Sequence, residues 1–321
     1  MRIVLTPLLL VLAGLMAVPV SAQNFPSRPI RIMAPFAPGG PVDITARIVA
    51  QKLGESLGQP VIVENRAGAS GMIGAEQVAK STPDGNTLLA NSSIHVIVPS
   101  LFSKMAYDPV RDFAPITVAS SSPLMLVVTP ALPVKNIKGF IALAKARPNE
   151  LAFGSSGSGS STHLTAELLK SVTGTRMTHV PYKGQGQAIT DVITGQIQFM
   201  FNSPSAVGEF IKAGRLRTLG ITSEKRLPQW PEVPTFVETG FRDMTTGSWY
   251  GFWAPAKTPA AVVSRLNSEI VRIVNLPDVR QRILDMGGEP IANSSADFDA
   301  FQKAELARWA KIVKQANIEV K

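Results

Sequence analysis

The sequence predicts an α/β protein made of two modules, with a helical tail. Three observations predict it. Short apolar runs rich in Ile, Val and Phe alternate with stretches whose apolar residues recur every three or four positions. That alternation occurs twice along the 321 residues, and it builds parallel sheets with right-handed crossovers. The turns leading from strand into helix are short and rich in Gly and Ser.

The first strand is IRIMAPF, residues 30–36. After the turn PGG comes a helix with Val42, Ala46, Val49, Leu53 and Leu57 on one face. QPVIVEN (59–65) is a strand, RAGASG (66–71) a loop and MIGAEQVAKS a helix. TPDG (82–85) is a turn and NTLLAN (86–91) a strand. The second module opens with the short strand LAFG (151–154) and the loop GSSGSGSS. A helix follows with Leu164, Leu168 and Val172 on one face. MTHVPY (177–182), IQFMFN (197–202) and LRTLGIT (216–222) are strands, separated by the helices KGQGQAITDVITG and SPSAVGEFIKAG. The Pro-rich segment 227–241 is a long loop, and SWYGFWAPA (248–256) returns to strand. The tail is helical over 259–274, 277–286 and 295–316. Segments 117–128 and 247–256 are strands able to cross between modules. Two crossings with a returning tail suggest a hinged pair of lobes around a cleft, one of residues 23–122 and 250–321, the other of 123–249.

The first 22 residues differ from the rest. Met1-Arg2, an apolar run over 3–20 and the small-x-small sequence Val20-Ser21-Ala22 make a Sec-type signal peptide, with the mature chain starting near Gln23. A membrane anchor is the competing reading, but Pro7, Gly14 and Pro19 interrupt the run. There is no Cys, so an exported chain of this kind holds together by packing alone. Signal and composition together point to a periplasm. The formal net charge is +9, but only 17 % of residues are charged and the Lys and Arg are scattered. A nucleic-acid partner would need a concentrated basic face; a mild positive field instead favours encounters with small anions.

The turn PFAPGGPVD carries the chemistry. Gly39 and Gly40 let a ligand approach the backbone. Pro41 fits the first helical position, where no N–H is needed. The helix start then offers free N–H groups and the positive end of its dipole to an anion. Asp43 falls where its carboxylate can reach back and cap an amide, or touch a ligand. RAGASG, GSSGSGSST, Tyr182-Lys183-Gly184 and Asn202-Ser203-Pro204 occupy equivalent places, at the carboxyl ends of parallel strands where ligands of open α/β sheets bind. The catalytic motifs fail. Gly68-Ala69-Ser70-Gly71-Met72 and Gly154-Ser155-Ser156-Gly157-Ser158 both lack the last Gly of a nucleophile elbow. No complete dinucleotide fingerprint or Walker lysine is present, and His95, His163 and His179 have no metal-ligand spacing. His163 reads as a donor at a helix start or a catalytic base, and His179 as a hydrogen-bonded core residue. Trp309 lies on a core face; Trp249 or Trp253, flanking Tyr250, is a candidate wall of the cleft.

These residues resemble the Bug family of periplasmic solute receptors, the extracytoplasmic components of tripartite tricarboxylate transporters. The motifs that carry the resemblance include PFAPGGPVDITAR (35–47), VIVENRAGASGMIGAEQVA (61–79), PDGNTLL (83–89), YDPVRDFAPIT (107–117), FGSSGSGSSTHLTAELL (153–169), HVPYKGQGQAITDVITGQI (179–197), AGRLRTLGITSEKR (213–226), PEVPTFVETG (231–240) and WYGFWAPAKTP (249–259). They run in family order over essentially the whole mature chain. The resemblance implies a type II periplasmic-binding-protein fold whose two lobes close on a small carboxylate, with no catalysis, no cofactor and no metal. It implies delivery to a membrane permease or to a sensor; a monomer is the default. An exported Ser/His hydrolase is the alternative. The candidate ligand-binding residues are Pro38, Gly39, Gly40, Asp43, Ala69, Ser70, Ser92, Ser155, Ser156, Gly157, Ser158, Thr162, Tyr182, Asn202 and Ser203.

Overall fold

The computed structural model describes residues 25–182 and 185–315; the signal peptide expected at 1–22 lies outside the described residues. Strands β1 (Ile30–Ala34), β2 (Val61–Asn65) and β3 (Thr87–Ser92) pair in parallel, with Ile30 opposite Val61 and Arg31 opposite Thr87. Helix α1 (Pro41–Leu57) buries Val42, Ala46, Val49 and Leu53, the apolar face read from the sequence. It stops at Gly58, whose left-handed backbone lets its N–H bond the Gly54 carbonyl at 3.0 Å. Helix α2 (Met72–Ala79) leads into β3, and helix α3 (Ile94–Leu101) follows it. No strand or helix was predicted over α3.

The chain then changes sheet. β4 (Phe113–Pro123) runs antiparallel to β10 (Gly247–Pro255), and the first sheet has the order β11-β4-β10-β3-β1-β2, where β11 is Glu289–Pro290. One residue after β4, at Leu124, the chain enters the second sheet as β5 (Met125–Val128). That sheet has the order β7-β6-β8-β5-β9, with β6 (Ala152–Ser155), β7 (Thr178–Pro181), β8 (Phe199–Asn202) and β9 (Arg217–Ile221). Its helices are α4 (Ile137–Ala146), α5 (Ser161–Thr173), α6 (Gln185–Thr194) and α7 (Pro204–Lys212). β10 joins the first sheet from Gly247, three residues before the division expected at 250, because Gly247 already pairs with Pro123. Helices α8 (Ala260–Val274), α9 (Pro277–Asp285) and α10 (Ser295–Gln315) complete the chain.

One side chain fastens the two crossings. Thr222, 1 % exposed, accepts the Leu124 amide on Oγ1 at 2.8 Å and donates its hydroxyl to the Thr246 carbonyl at 2.5 Å. Thr222→Val removes both bonds and leaves a buried amide and carbonyl unmatched. The expected cost is about 2 kcal/mol in urea unfolding; a loss below about 0.5 kcal/mol would show that the crossings hold without it.

Helix α10 lies across β4, β10 and α3. Trp253 donates its indole N–H to Gln302 Oε1 at 2.9 Å, while Trp249 and Trp309 both donate to Glu305 Oε2, at 3.2 and 3.0 Å. Gly251, between the two β10 tryptophans, cannot carry a side chain: a Cβ there would sit 2.6 Å from the Phe298 ring.

Candidate functional site

A cavity of about 650 Å³ opens where strands of both sheets end. From the first sheet's side it is walled by Pro38, Gly39, Gly40, Pro41, Ser70, Ser92, Ser93 and Ile94. From the second it is walled by Ser156, Gly157, Ser158, Ser160, Ser161 and Gln185. Ser248 and Tyr250 of β10 form the back. Its described lining holds eight serines and no charged side chain. Hydrogen bonding is what the described part of this wall offers a ligand.

The first-lobe wall presents helix starts. α1 begins at Gly40 and α3 at Ser93, and neither has a side chain capping its first turn. The Val42 amide of α1 and the Ile94 amide of α3 belong to residues of the cavity wall and have no side-chain cap, at the positive ends of their dipoles, whereas the Ser93 and Val96 amides are taken by the Trp249 and Ser93 carbonyls. Before α2 the backbone is left-handed at Gly68, Ala69, Ser70 and Gly71, with φ of 141°, 46°, 54° and 87°. At Ala69 and Ser70 that conformation costs about 1 kcal/mol each; it turns Ser70 into the cavity.

Of the candidate residues, Pro38, Gly39, Gly40, Ser70, Ser92, Ser156, Gly157 and Ser158 line this cavity. The others stand elsewhere, and each has a physical reason. Asp43 is buried behind the turn, where it accepts the Gly39 amide at 2.9 Å and Asn65 Nδ2 at 2.9 Å and pairs with Arg47 at 3.0 Å. Burial pushes its carboxyl up, but those three partners outweigh it and hold the pKa below the usual carboxylate value. Asp43 thus shapes the Gly39-Gly40 turn. Ala69 holds the left-handed turn rather than lining the cavity. Ser155 and Thr162, at most 1 % exposed, lie beneath the α5 loop, with Thr162 Oγ1 accepting the Ser156 amide at 3.0 Å. Tyr182 donates its hydroxyl to Asp191 at 2.6 Å. Asn202 is fully buried, its Oδ1 taken by the Ser203 amide at 2.8 Å. Ser203 lines a separate space of about 30 Å³ beside Ser120 and Ser122.

The aromatic wall is Tyr250 with Phe36, not Trp249 or Trp253. Alternate residues of a strand face opposite ways, so the two tryptophans point at α10 and Tyr250 at the cavity. Burial pushes the Tyr250 phenol up to about 12, so it is a neutral donor at any physiological pH. Ser248 meets Ser161 Oγ at 2.7 Å, tying β10 to the start of α5.

The three histidines stand outside the described cavity lining. His163 accepts the Gly159 amide on Nδ1 at 3.0 Å, the reverse of the donor role expected of it. His179 Nε2 lies 2.7 Å from Ser155 Oγ, but Ser155 is fully buried. His95 is wholly buried and bonds the Pro109 carbonyl through Nε2 at 3.0 Å. Burial, chiefly, pushes both His95 and His179 down to about 4. A depressed imidazole contributes stability that is complete above the unfolded value of 6.5 and lost as pH falls from there toward 4. For His95 the expected loss is about 3 kcal/mol. Urea unfolding between pH 6.5 and 4 should record it, and His95→Gln should flatten the slope; an unchanged slope would place the titration elsewhere.

A second cavity, of about 680 Å³, lies on the other face of β10, lined by Trp249, Phe301, Glu224, Glu289 and Arg308. Burial and the nearby Glu224 raise the Glu289 pKa, so this space disfavours an added anion. Among the described residues no group of three or more His, Asp or Glu side chains is placed to hold a metal ion.

Two α/β sheets joined by paired crossings, with helix starts from both sides on one cavity, define a two-lobed solute-binding receptor. Residues 45–318 match the model of the tripartite tricarboxylate transporter family receptor, and the chain belongs to that family. It is 37 % identical over 307 residues to BugT of Bordetella pertussis, covering 95 % of this chain and 94 % of the relative. Two solved structures from Rhodopseudomonas palustris are similar. One, determined with adipate, matches with a TM-score of 0.82 and 36 % identity over 92 % of this chain and 99 % of its own. The other, MatC with bound malate, matches with a TM-score of 0.77 and 31 % identity over 90 % of this chain and 100 % of its own.

Proposed function

We propose that this protein is an exported, periplasmic receptor that captures a small carboxylate between its lobes. It delivers that ligand to a membrane permease of the tripartite tricarboxylate type or to a sensor, acts as a monomer and catalyses nothing. The observation that carries the reading is the convergence of helix starts without side-chain caps on a serine-rich cavity whose described lining holds no charged side chain. A carboxylate supplies the acceptors those amides lack, and the dipole ends favour its charge. The contacts we assign to it are the amides of the Gly39-Gly40 turn and of α3's first turn, with Ser70 and Ser92. Ser156 and Ser158 close from the second lobe, and Tyr250 sets depth and selectivity from behind. Adipate and malate in the two similar structures support the same ligand class. Burial of Ser155 argues against the hydrolase alternative, because a nucleophile must reach its substrate. Export rests on residues 1–22; among the described residues no helix is long and apolar enough to cross a membrane.

The test is a thermal shift of residues 23–321, stripped of bound ligand, against mono-, di- and tricarboxylates, acidic amino acids and aromatic acids, with neutral sugars as controls. An acid present at 100 times its Kd adds about 2.7 kcal/mol, a rise of several degrees. The matching amide should give none. Equal shifts with acid and amide, or none with any acid, would sink the reading.

A further inference from the structure

The loop that brings Ser156, Gly157, Ser158, Ser160 and Ser161 to the cavity rests on a buried polar network no ligand in the cleft would touch. Three side chains hold it from beneath. Thr162 takes the Ser156 amide, Ser155 Oγ takes the Gly157 amide at 3.2 Å, and His163 Nδ1 takes the Gly159 amide at 3.0 Å. The His163 bond fixes a proton. An imidazole nitrogen that accepts an N–H must be bare, so His163 carries its hydrogen on Nε2, which lies 3.7 Å from Glu167 Oε1.

We propose that His163 is the positioning residue for the second-lobe half of the ligand site, and that the cleft releases its ligand when His163 takes up a second proton. This rests on the carboxylate-capture reading above. The added proton can go only to Nδ1. There it would face the Gly159 N–H, donor against donor, and the loop must move to separate them. Ser158 and the start of α5 move with it, and the Ser161–Ser248 bond that ties α5 to β10 is strained or broken. Reciprocally, a bound ligand that holds the loop in place resists that protonation.

The groups that face His163 are few. Glu167 and Lys170 come from its own helix, with Lys170 2.8 Å from Glu167. β7 contributes the His179 ring, stacked on His163 with centroids 3.7 Å apart and planes 13° apart. β6 contributes Ser155 and the uncharged ring of Phe153. Burial, chiefly, pushes His179 down to about 4 and so keeps it neutral between pH 7.5 and 5.5.

The test has two arms on residues 23–321. Long-range ¹⁵N spectra of the ligand-free protein should report His163 as the Nε2–H tautomer at pH 7.5, with the Gly159 amide shifting at the midpoint where Nδ1 is protonated. A proton on Nδ1 at pH 7.5, or a Gly159 amide indifferent to that midpoint, would overturn the positioning role. Calorimetric titration then uses adipate and malate as probes at pH 7.5 and 5.5. Wild-type affinity should fall about tenfold, the factor carried by one lost hydrogen bond. His163→Gln keeps an acceptor that cannot titrate. It should recover part of the affinity that His163→Ala loses at pH 7.5, and fall on acidification only by what the probe's own protonation causes. An equal fall in wild type and His163→Gln overturns the proposal, and matching circular dichroism of the variants excludes misfolding as the cause. If no acid of the panel binds wild type at pH 7.5, the capture reading and the release step fail together, while the spectra still decide the positioning role.

Discussion

Asp43→Ala is expected to destabilise the protein by about 3 kcal/mol and to weaken carboxylate binding by about 30-fold. The stability loss follows from what the buried carboxylate does: three groups, the Gly39 amide, Asn65 Nδ2 and Arg47, share it within 3.0 Å. Removing one partner of such a buried set leaves the others unmatched. The binding loss follows from Gly39, whose φ of 81° shapes the turn and whose N–H is anchored through Asp43. Freed, the turn no longer holds the first amides of α1 toward the cleft, and one to two preorganised hydrogen bonds are lost. Asp43→Asn, which can still accept the Gly39 amide, should lose less of both. Urea unfolding and titration with a ligand from the panel measure the two effects. A variant that loses stability but binds at full affinity would detach the turn from recognition.

Trp253→Ala should cost about 4 kcal/mol, the upper part of the range for emptying a buried aromatic site. Trp253 is fully buried, with its ring 4.6 Å from His95 and 4.9 Å from Phe298, and its N–H is the partner of the fully buried Gln302. Both the cavity and the orphaned amide oxygen contribute. Trp253→Phe fills most of the space but leaves Gln302 Oε1 unbonded, so it should cost about half as much. Because this bond also fastens α10 to β10, limited proteolysis of the alanine variant should cut within 295–315 before the rest of the chain. Uniform cutting would mean that α10 is held elsewhere. A loss this large is comparable to the stability of many domains, so the measurement should be made at low temperature.

Where local pattern decided the outcome, the sequence was readable. α1 announced itself by apolar spacing and by Pro41 at its start, and three of the five small turns, PFAPGG, RAGASG and GSSGSGSST, lie together at one cavity. α4 carries the same signals, with Ile137, Phe140, Ile141 and Ala144 on one face and Asn136 capping the Gly139 amide, yet no element was predicted there. α3 could not be read by period. IHVIVPSL is apolar nearly throughout, buries His95, Val96, Ile97 and Val98, and contains Pro99, so no polar face marks the helix. Its start, Ser93-Ile94, is therefore one part of the cavity that residue patterns missed, along with Gln185, Ser248 and Tyr250. Tyr182 and Thr162 stand outside the cavity lining for another reason: nearby partners take their polar atoms, Asp191 for the one and the Ser156 amide for the other, while Asp43 caps the Gly39 amide, one of the two roles expected of it. Tyr250 was within reach, since alternation along β10 puts it opposite the tryptophans on either side.

The strand order has a consequence for how the chain comes together as it emerges from its N-terminus. The five strands of the second sheet lie between Met125 and Ile221, with no strand from elsewhere inserted among them, so that sheet has all its parts once that stretch is out. The first sheet does not. β10 stands between β3 and β4, and it arrives only with residues 247–255. Until then β1, β2 and β3 form one fragment and β4 another. Each has an edge of unpaired amides and carbonyls, the kind of edge that recruits other strands. The later-encoded lobe is thus the first to be finished, and the earlier one waits with an open seam for a strand made more than 150 residues after β3.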